Sequence, residues 1–166
     1  MPSSTIPLLR FPGIGWLLWV PLVFLLDQIS KWLILHYLTF GEIVPIFPGL
    51  KFILAHNHGI AFSFFNQQSG LMPLVLLAVI IMICLVMGIW LIKTPMDDRY
   101  SGIGLVLIFG GALGNLFDRF YHGFVIDFID CYIGHWHWYT FNLADSFVTI
   151  GALLMIKTIM FNDKSL

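Results

Sequence analysis

The chain has 166 residues, of which 59% are hydrophobic and only 10% charged, an apolar excess and charge deficit that exclude an ordinary soluble domain and make lipid the expected solvent. Its formal net charge of -1 rests on eight Lys and Arg against nine Asp and Glu. No basic excess suggests nucleic acid, and the cations are too few for a polybasic lipid-binding surface. Partners are therefore expected to be apolar, amphipathic or membrane-bound.

Arg10 precedes a long apolar stretch without a small-residue cleavage site, which predicts an uncleaved first span over Trp16 to about Leu35. Within it Asp27, Ser30 and Lys31 follow i, i+3, i+4 spacing, so they share one helical face. Residues 36 to 70 form a first segment outside the bilayer. Turn signals at Pro45, Pro48 and Gly49 precede runs Leu50 to His56 and Gly59 to Phe65, around Asn57 and His58, and predict a small hairpin-like platform. Leu71 to Ile92 has no charge at all and forms the second span.

The third span, Gly102 to about Arg119, ends in Asn115, Asp118 and Arg119 at the same i, i+3, i+4 spacing. Its Gly110 and Gly114 form a GxxxG pattern, whose usual meaning is close helix packing. A second outer segment, 120 to 140, carries Asp127 in the run Phe124 to Asp130, then Trp136, Trp138 and Tyr139, rings that favour the headgroup level. The fourth span, Phe141 to about Met160, opens with Asn142, Asp145, Ser146 and Thr149, a polar stripe on an apolar helix. Arg10, Lys93, Arg99, Lys157 and Lys164 all fall on the face shared by the termini and the central loop. That bias predicts cytoplasmic termini. Cys84 and Cys131 lie at different depths, so two free thiols are expected.

Ionisable side chains inside a span are costly and mark functional sites or ties between helices. In the predicted topology those of spans one, three and four meet at one depth, within reach of Asp127, and make one polar pocket beneath the outer surface. Asp27 with Lys31, and Asp118 with Arg119, also suit a structural role, because acid and base are in reach of one another. Asp127 and Asp145 have no cation within one helical turn. Two carboxylates brought together at low dielectric share a proton, which supplies an acid and a base in one site.

Competing chemistries remain open from the residues alone. His36, His56, His58, His122, His135 and His137 all fall toward the outer side, and the two His-x-His pairs suit zinc on extended segments, although no His-Glu-x-x-His helix occurs. Ser30 and Lys31 are adjacent on a helix and point about 100° apart, so they form no dyad with each other. A small proton-coupled membrane carrier using intramembrane aspartates is the alternative function. Against it, the polar residues cluster near one surface, and no path runs through the bilayer.

Asp27-Gln28-Ile29-Ser30-Lys31, Asn57-His58-Gly59-Ile60-Ala61-Phe62-Ser63, Gly114-Asn115-Leu116-Phe117-Asp118-Arg119, Val125-Ile126-Asp127-Phe128 and Phe141-Asn142-Leu143-Ala144-Asp145-Ser146 resemble, in order, the motifs of the lipoprotein signal peptidases, or signal peptidase II family. The resemblance implies an all-α membrane peptidase in one domain over 1-166. Its four transmembrane helices would carry a small extracytoplasmic β-rich cradle and an interfacial amphipathic segment over the site. It implies Asp127 and Asp145 as the catalytic pair, with Asp27, Lys31, Asn57, Gly59, Asn115, Asp118, Arg119 and Asn142 as supporting or substrate-binding residues and no metal or other cofactor. The implied substrate is a prolipoprotein carrying diacylglycerol on the cysteine that becomes the mature N-terminus, cut immediately before that cysteine. Membrane lipid, a globomycin-type inhibitor, a monomeric state and the bacterial cytoplasmic membrane complete the expectation.

Overall fold

The computed structural model describes residues 11–59 and 72–162. Among these residues, four helices are long and apolar enough to cross a membrane. A 3-10 turn, Ile14–Leu18, leads into α1, Val20–Tyr37, where Pro21 sits in the first turn, a position at which its missing N–H costs nothing. Helix α2 is Met72–Lys93 and α3 is Arg99–Tyr121, whose N-cap Asp98 accepts a hydrogen bond from the Ser101 backbone N–H at 3.2 Å. Helix α4 is Leu143–Asn162. The predicted spans match these helices to within a few residues.

Helix α3 is central and packs against α1, α2 and α4. Its glycines let the neighbours approach closely: a side chain at Gly110 would run into Val23 of α1, and one at Gly111 into the Ala144 carbonyl of α4. Trp16, Val23, Leu91, Leu105, Val106 and Met155 close the apolar core between the helices. Outward-facing Leu22, Leu25, Ile29 and Trp32 of α1, with Leu85 and Ile89 of α2, stay exposed on the bundle surface. Such a surface is stable only against hydrocarbon.

Four strands, β1 Ile43–Phe47, β2 Leu50–Asn57, β3 Val125–Ile133 and β4 Trp136–His137, form an antiparallel sheet in the order β1-β2-β3-β4. They gather where α1 and α3 end and α4 begins. Gly49, at φ +95°, makes the turn from β1 into β2. The platform differs from the expected hairpin in its pairing: Leu50 to His56 is indeed a strand, but its partners are β1 on one side and β3 on the other. The Gly59 to Phe65 run lies outside the described residues beyond Gly59, and no interfacial amphipathic helix occurs among the described residues. Long-range pairing of β2 with β3 is favoured by the apolar residues of β3. Ile126 and Phe128 pack with Leu54 and with Ile34 of α1 in a second buried cluster.

Strand alternation then turns Val125 and Asp127 to the face opposite Ile126 and Phe128. Asp127 lies across from Ala55, and Asn57 across from Val125. The sheet thereby carries Asn57 and Asp127 to the ends of the helices that hold the other polar residues.

Candidate active site

The polar cluster is built in two layers. In the inner one, Lys31 on α1 is 1% exposed. Its ammonium donates to the Asp27 carboxylate at 2.8 Å and to Asn115 Oδ1 at 3.0 Å, and lies 2.7 Å from an Asp118 carboxylate oxygen. Three donors meet three acceptors, which is the condition under which a buried ammonium is tolerated. Both carboxylates go on to hold backbone. Asp27 Oδ1 accepts from the Ala144 N–H at 2.9 Å and Asp118 Oδ2 from the Ile126 N–H at 3.2 Å.

In the outer layer stand Asp127 and Asp145. Asp127 accepts from Asn142 Nδ2 at 2.8 Å and from Asn57 Nδ2 at 2.9 Å. Asp145 accepts from Asn115 Nδ2 at 2.8 Å and from the Asn142 backbone N–H at 3.2 Å. Asn142 therefore serves both carboxylates, one through its side-chain amide and one through its main chain. Its own Oδ1 accepts from the Asp145 N–H at 2.9 Å, so Asn142 and Asp145 form a reciprocal capping box at the start of α4. The residue pair that starts the helix is the one that aims Asp145.

Neither Asp127 nor Asp145 has an ion-pair partner among the described residues, whereas Asp27 and Asp118 share Lys31. Burial pushes the Asp127 carboxyl up to about 6, the Asn57 hydrogen bond pulls the other way, and the charge of Asp145 adds to the rise. A carboxyl poised near neutral pH can hold or release a proton in turn. Asp145 is partly exposed and opens into a cleft of about 390 Å³ lined by Trp138, Phe141, Asp145, Ser146, Thr149 and Ile150. Solvent or a chain entering from the side reaches that carboxylate directly.

The other residues singled out by the sequence take varied places. Arg119 is half-buried and donates to the Asn115 carbonyl at 3.1 Å, without an ion pair among the described residues. The Gly59 N–H donates to Asn57 Oδ1 at 2.8 Å, which fixes the amide so that its Nδ2 faces Asp127. The polar stripe on α4 is less polar than its spacing implied. Ser146 Oγ donates to the Asn142 carbonyl and Thr149 Oγ1 to the Asp145 carbonyl, so both hydroxyls are consumed by their own helix. Ser30 likewise turns to the Asp27 carbonyl at 2.7 Å.

Three of the histidines gather on one aromatic ring and the others lie apart. His56 stacks on Phe124 with ring centroids 3.9 Å apart, His58 and His122 pack on the same ring, and His36 stacks on Trp32. Burial, then the nearby His58 and His122, lower the His56 pKa. His137 is held 2.8 Å from Asp130. Among the described residues no three metal-ligating side chains converge. Cys84 and Cys131 are both free thiols.

Two contributors escaped the sequence-based site. Gln28 Nε2 reaches Asp27, Asp118 and the Gly114 carbonyl at 3.0–3.3 Å, tying α1 to α3. Gly114 is more than a packing residue, because a β-carbon there would collide with the Asp27 carboxylate. Gln28 lies beside Asp27 in a quoted motif, and its polarity within a span was the available signal.

Comparison with known proteins agrees over most of the chain. The model of the family described as signal peptidase (SPase) II matches residues 19–161. The lipoprotein signal peptidase of Klebsiella pneumoniae subsp. pneumoniae is 45% identical over 144 residues, covering 87% of each chain, and that of Enterobacter sp. is 43% identical over the same shares. Two solved bacterial membrane enzymes, obtained by the in meso method at 1.9 and 2.3 Å resolution, superpose with TM-scores of 0.79 and 0.77 at 29% and 28% identity. The alignments cover 93% and 95% of this chain and 98% and 96% of theirs. On the strength of the matched model and these relatives, the chain belongs to the signal peptidase II family.

Proposed function

We propose that the protein is a membrane aspartyl endopeptidase that removes the signal peptide from diacylglyceryl-modified prolipoproteins, cutting immediately before the lipidated cysteine. The single observation that carries the catalytic type is the pair Asp127 and Asp145, without a salt-bridge partner among the described residues and tethered to the same Asn142. Family membership supplies the substrate.

In this mechanism the pair holds one proton between two carboxyl groups. The ionised member takes a proton from water as the water oxygen attacks the scissile carbonyl carbon, while the protonated member donates to the carbonyl oxygen. Collapse of the gem-diol intermediate breaks the C–N bond as the departing amine takes up a proton from the carboxyl that received one, and a gem-diol hydroxyl returns its proton to the carboxylate that had given one, which leaves a carboxylic acid product and the dyad with its single proton. The two side chains move every proton, and the mechanism uses no covalent intermediate and no metal. Asn142 and Asn115 keep both carboxylates aimed. Arg119 and Asn57 supply donors for the peptide backbone of the substrate, Gly59 holds the Asn57 amide in place, and Asp27, Lys31 and Asp118 support the site from beneath.

The site faces the outer side of the bacterial cytoplasmic membrane, with both termini cytoplasmic, so that the acyl chains of the substrate stay in lipid beside the cleft. A globomycin-type inhibitor would occupy the same cleft. A proton-coupled carrier fits less well: between the polar cluster and the opposite end of the bundle, residues 20–26, 102–114 and 150–156 are all apolar, Gly or Pro, which leaves no relay.

The test is cleavage of a diacylated prolipoprotein in detergent by the purified protein and its Asp127→Asn and Asp145→Asn variants. Losses of at least about a thousandfold are expected in both. Full activity in a folded variant would rule out the pair. Sidedness is tested by thiol labelling, in which Cys131 should react only from outside.

A further inference from the structure

Each carboxylate of the inner layer grips the backbone N–H of the residue immediately before one member of the outer pair. Asp27 holds Ala144, next to Asp145, and Asp118 holds Ile126, next to Asp127. Between the two carboxylates stands one ammonium, Lys31, within 2.8 Å of both. The same ammonium donates to Asn115 Oδ1, which orients that amide so that its Nδ2 meets Asp145.

We infer that Lys31 is the positioning residue that sets the separation of Asp127 and Asp145, by clamping together the two carboxylates that hold the chain next to each. The inference rests on the peptidase proposal for its catalytic consequence, and on the geometry alone for its structural one. The physical argument is one of stiffness. Two carboxylates at this depth repel each other, and without a shared cation the polar links between their elements, α1 with the start of α4 on one side and α3 with the start of β3 on the other, are among the described residues the neutral amides of Gln28, Asn115 and Asn142, which bring no positive charge to offset the repulsion. A dyad that shares a proton depends steeply on its separation, because the coupling between the two carboxyl groups falls as they part. Simple charge compensation would need a cation nearby; it would not need one bonded to both tethers and to Asn115.

Lys31→Met alone buries two unpaired carboxylates, so the decisive variant is Lys31→Met combined with Asp27→Asn and Asp118→Asn. Each new amide retains an oxygen for the Ala144 or Ile126 N–H, Gln28 can turn its own amide to accept, and no buried charge is left over. Two measurements are made on folded protein. The first is the pH–rate profile with the diacylated prolipoprotein. A clamp predicts kcat at least about tenfold lower with KM within about twofold, and an acidic limb moved by about one pH unit. Among the described residues the charged groups around the pair are Asp27 and Lys31 from α1 and Asp118 and Arg119 from α3; on the sheet side His56 and His58 flank Asn57 and pack on Phe124.

The second measurement is the carboxyl titration of Asp127 and Asp145 by carbon-13 resonance, which needs no substrate and should change in the same variant. Recovery of the wild-type kcat, profile and titration in the triple variant would overturn the clamp and leave Lys31 a charge neutraliser. Should the triple variant fail to fold, Asp118→Asn, which keeps the Lys31–Asp27 pair and makes the trio neutral, must still lower kcat and move the limb; an unchanged profile there overturns the clamp equally. Inactivity of the wild-type protein toward the prolipoprotein would instead remove the peptidase reading, while the titration continues to judge the clamp.

Discussion

Two pairs of aspartates stand in the same polar cluster of this membrane bundle, and they are treated in opposite ways. Asp27 and Asp118 are fully buried, share an ammonium and accept hydrogen bonds at both oxygens. Among the described residues Asp127 and Asp145 accept only from neutral amides, and one of them borders an open cleft. The difference is one cation. Where it is present, carboxylates become struts; where it is withheld, a proton has to do its work, and the group becomes chemically available.

Removing the cation should have the largest effect. Lys31→Ala leaves two buried carboxylates without a partner, at a cost of about 3–5 kcal/mol. Poor accumulation and a markedly lower unfolding temperature in detergent are expected, and a variant as stable as wild type would erase the distinction between the two pairs.

Neutralising the unpaired site should act in the opposite direction. Because folding raises the Asp127 pKa to about 6 from an ordinary 3.8, the folded state carries the cost of ionising it fully above about pH 6 and not at all below about pH 4. Asp127→Asn should therefore abolish catalysis yet raise stability by about 1–3 kcal/mol at neutral pH, a gain that disappears on acidification. Thermal unfolding compared near pH 7.5 and pH 4 checks the sign.

Asn142→Ala probes the residue that joins the two members of the outer pair. It removes the helix cap and the amide donated to Asp127, with an expected loss of about 1–2 kcal/mol and about a hundredfold in kcat. A purely local loss of stability at full activity would show that the amide does not orient the pair. The smallest effect is expected for Thr149→Val, within about 0.5 kcal/mol, since its hydroxyl only returns to its own helix.

Much of this contrast was legible in the sequence. Helical spacing placed Asp27 with Lys31 and left Asp127 and Asp145 without a nearby cation, and span length alone located the four helices. Contacts that depend on tertiary approach were hidden. That β2 pairs with β3 across some seventy residues has no local signal, because strand partners are chosen by which faces are buried. The hydroxyls of Ser146 and Thr149 looked like part of a polar stripe because spacing counts polar atoms without knowing which of them the helix backbone absorbs. Gln28 was passed over because, one residue beyond Asp27, it sits about 100° around the helix and off the face that the spacing of Asp27, Ser30 and Lys31 defines.

Gly114 joins the two themes of close packing and buried charge. At this point α1 and α3 meet through a carboxylate resting on a bare α-carbon, so their distance of approach is also the depth at which that carboxylate sits. A single added methyl group would collide with that carboxylate, so the steric clash is at once a displacement of the buried charge. Helix contact and ion network are one mechanical unit here, so that a change in either moves the other.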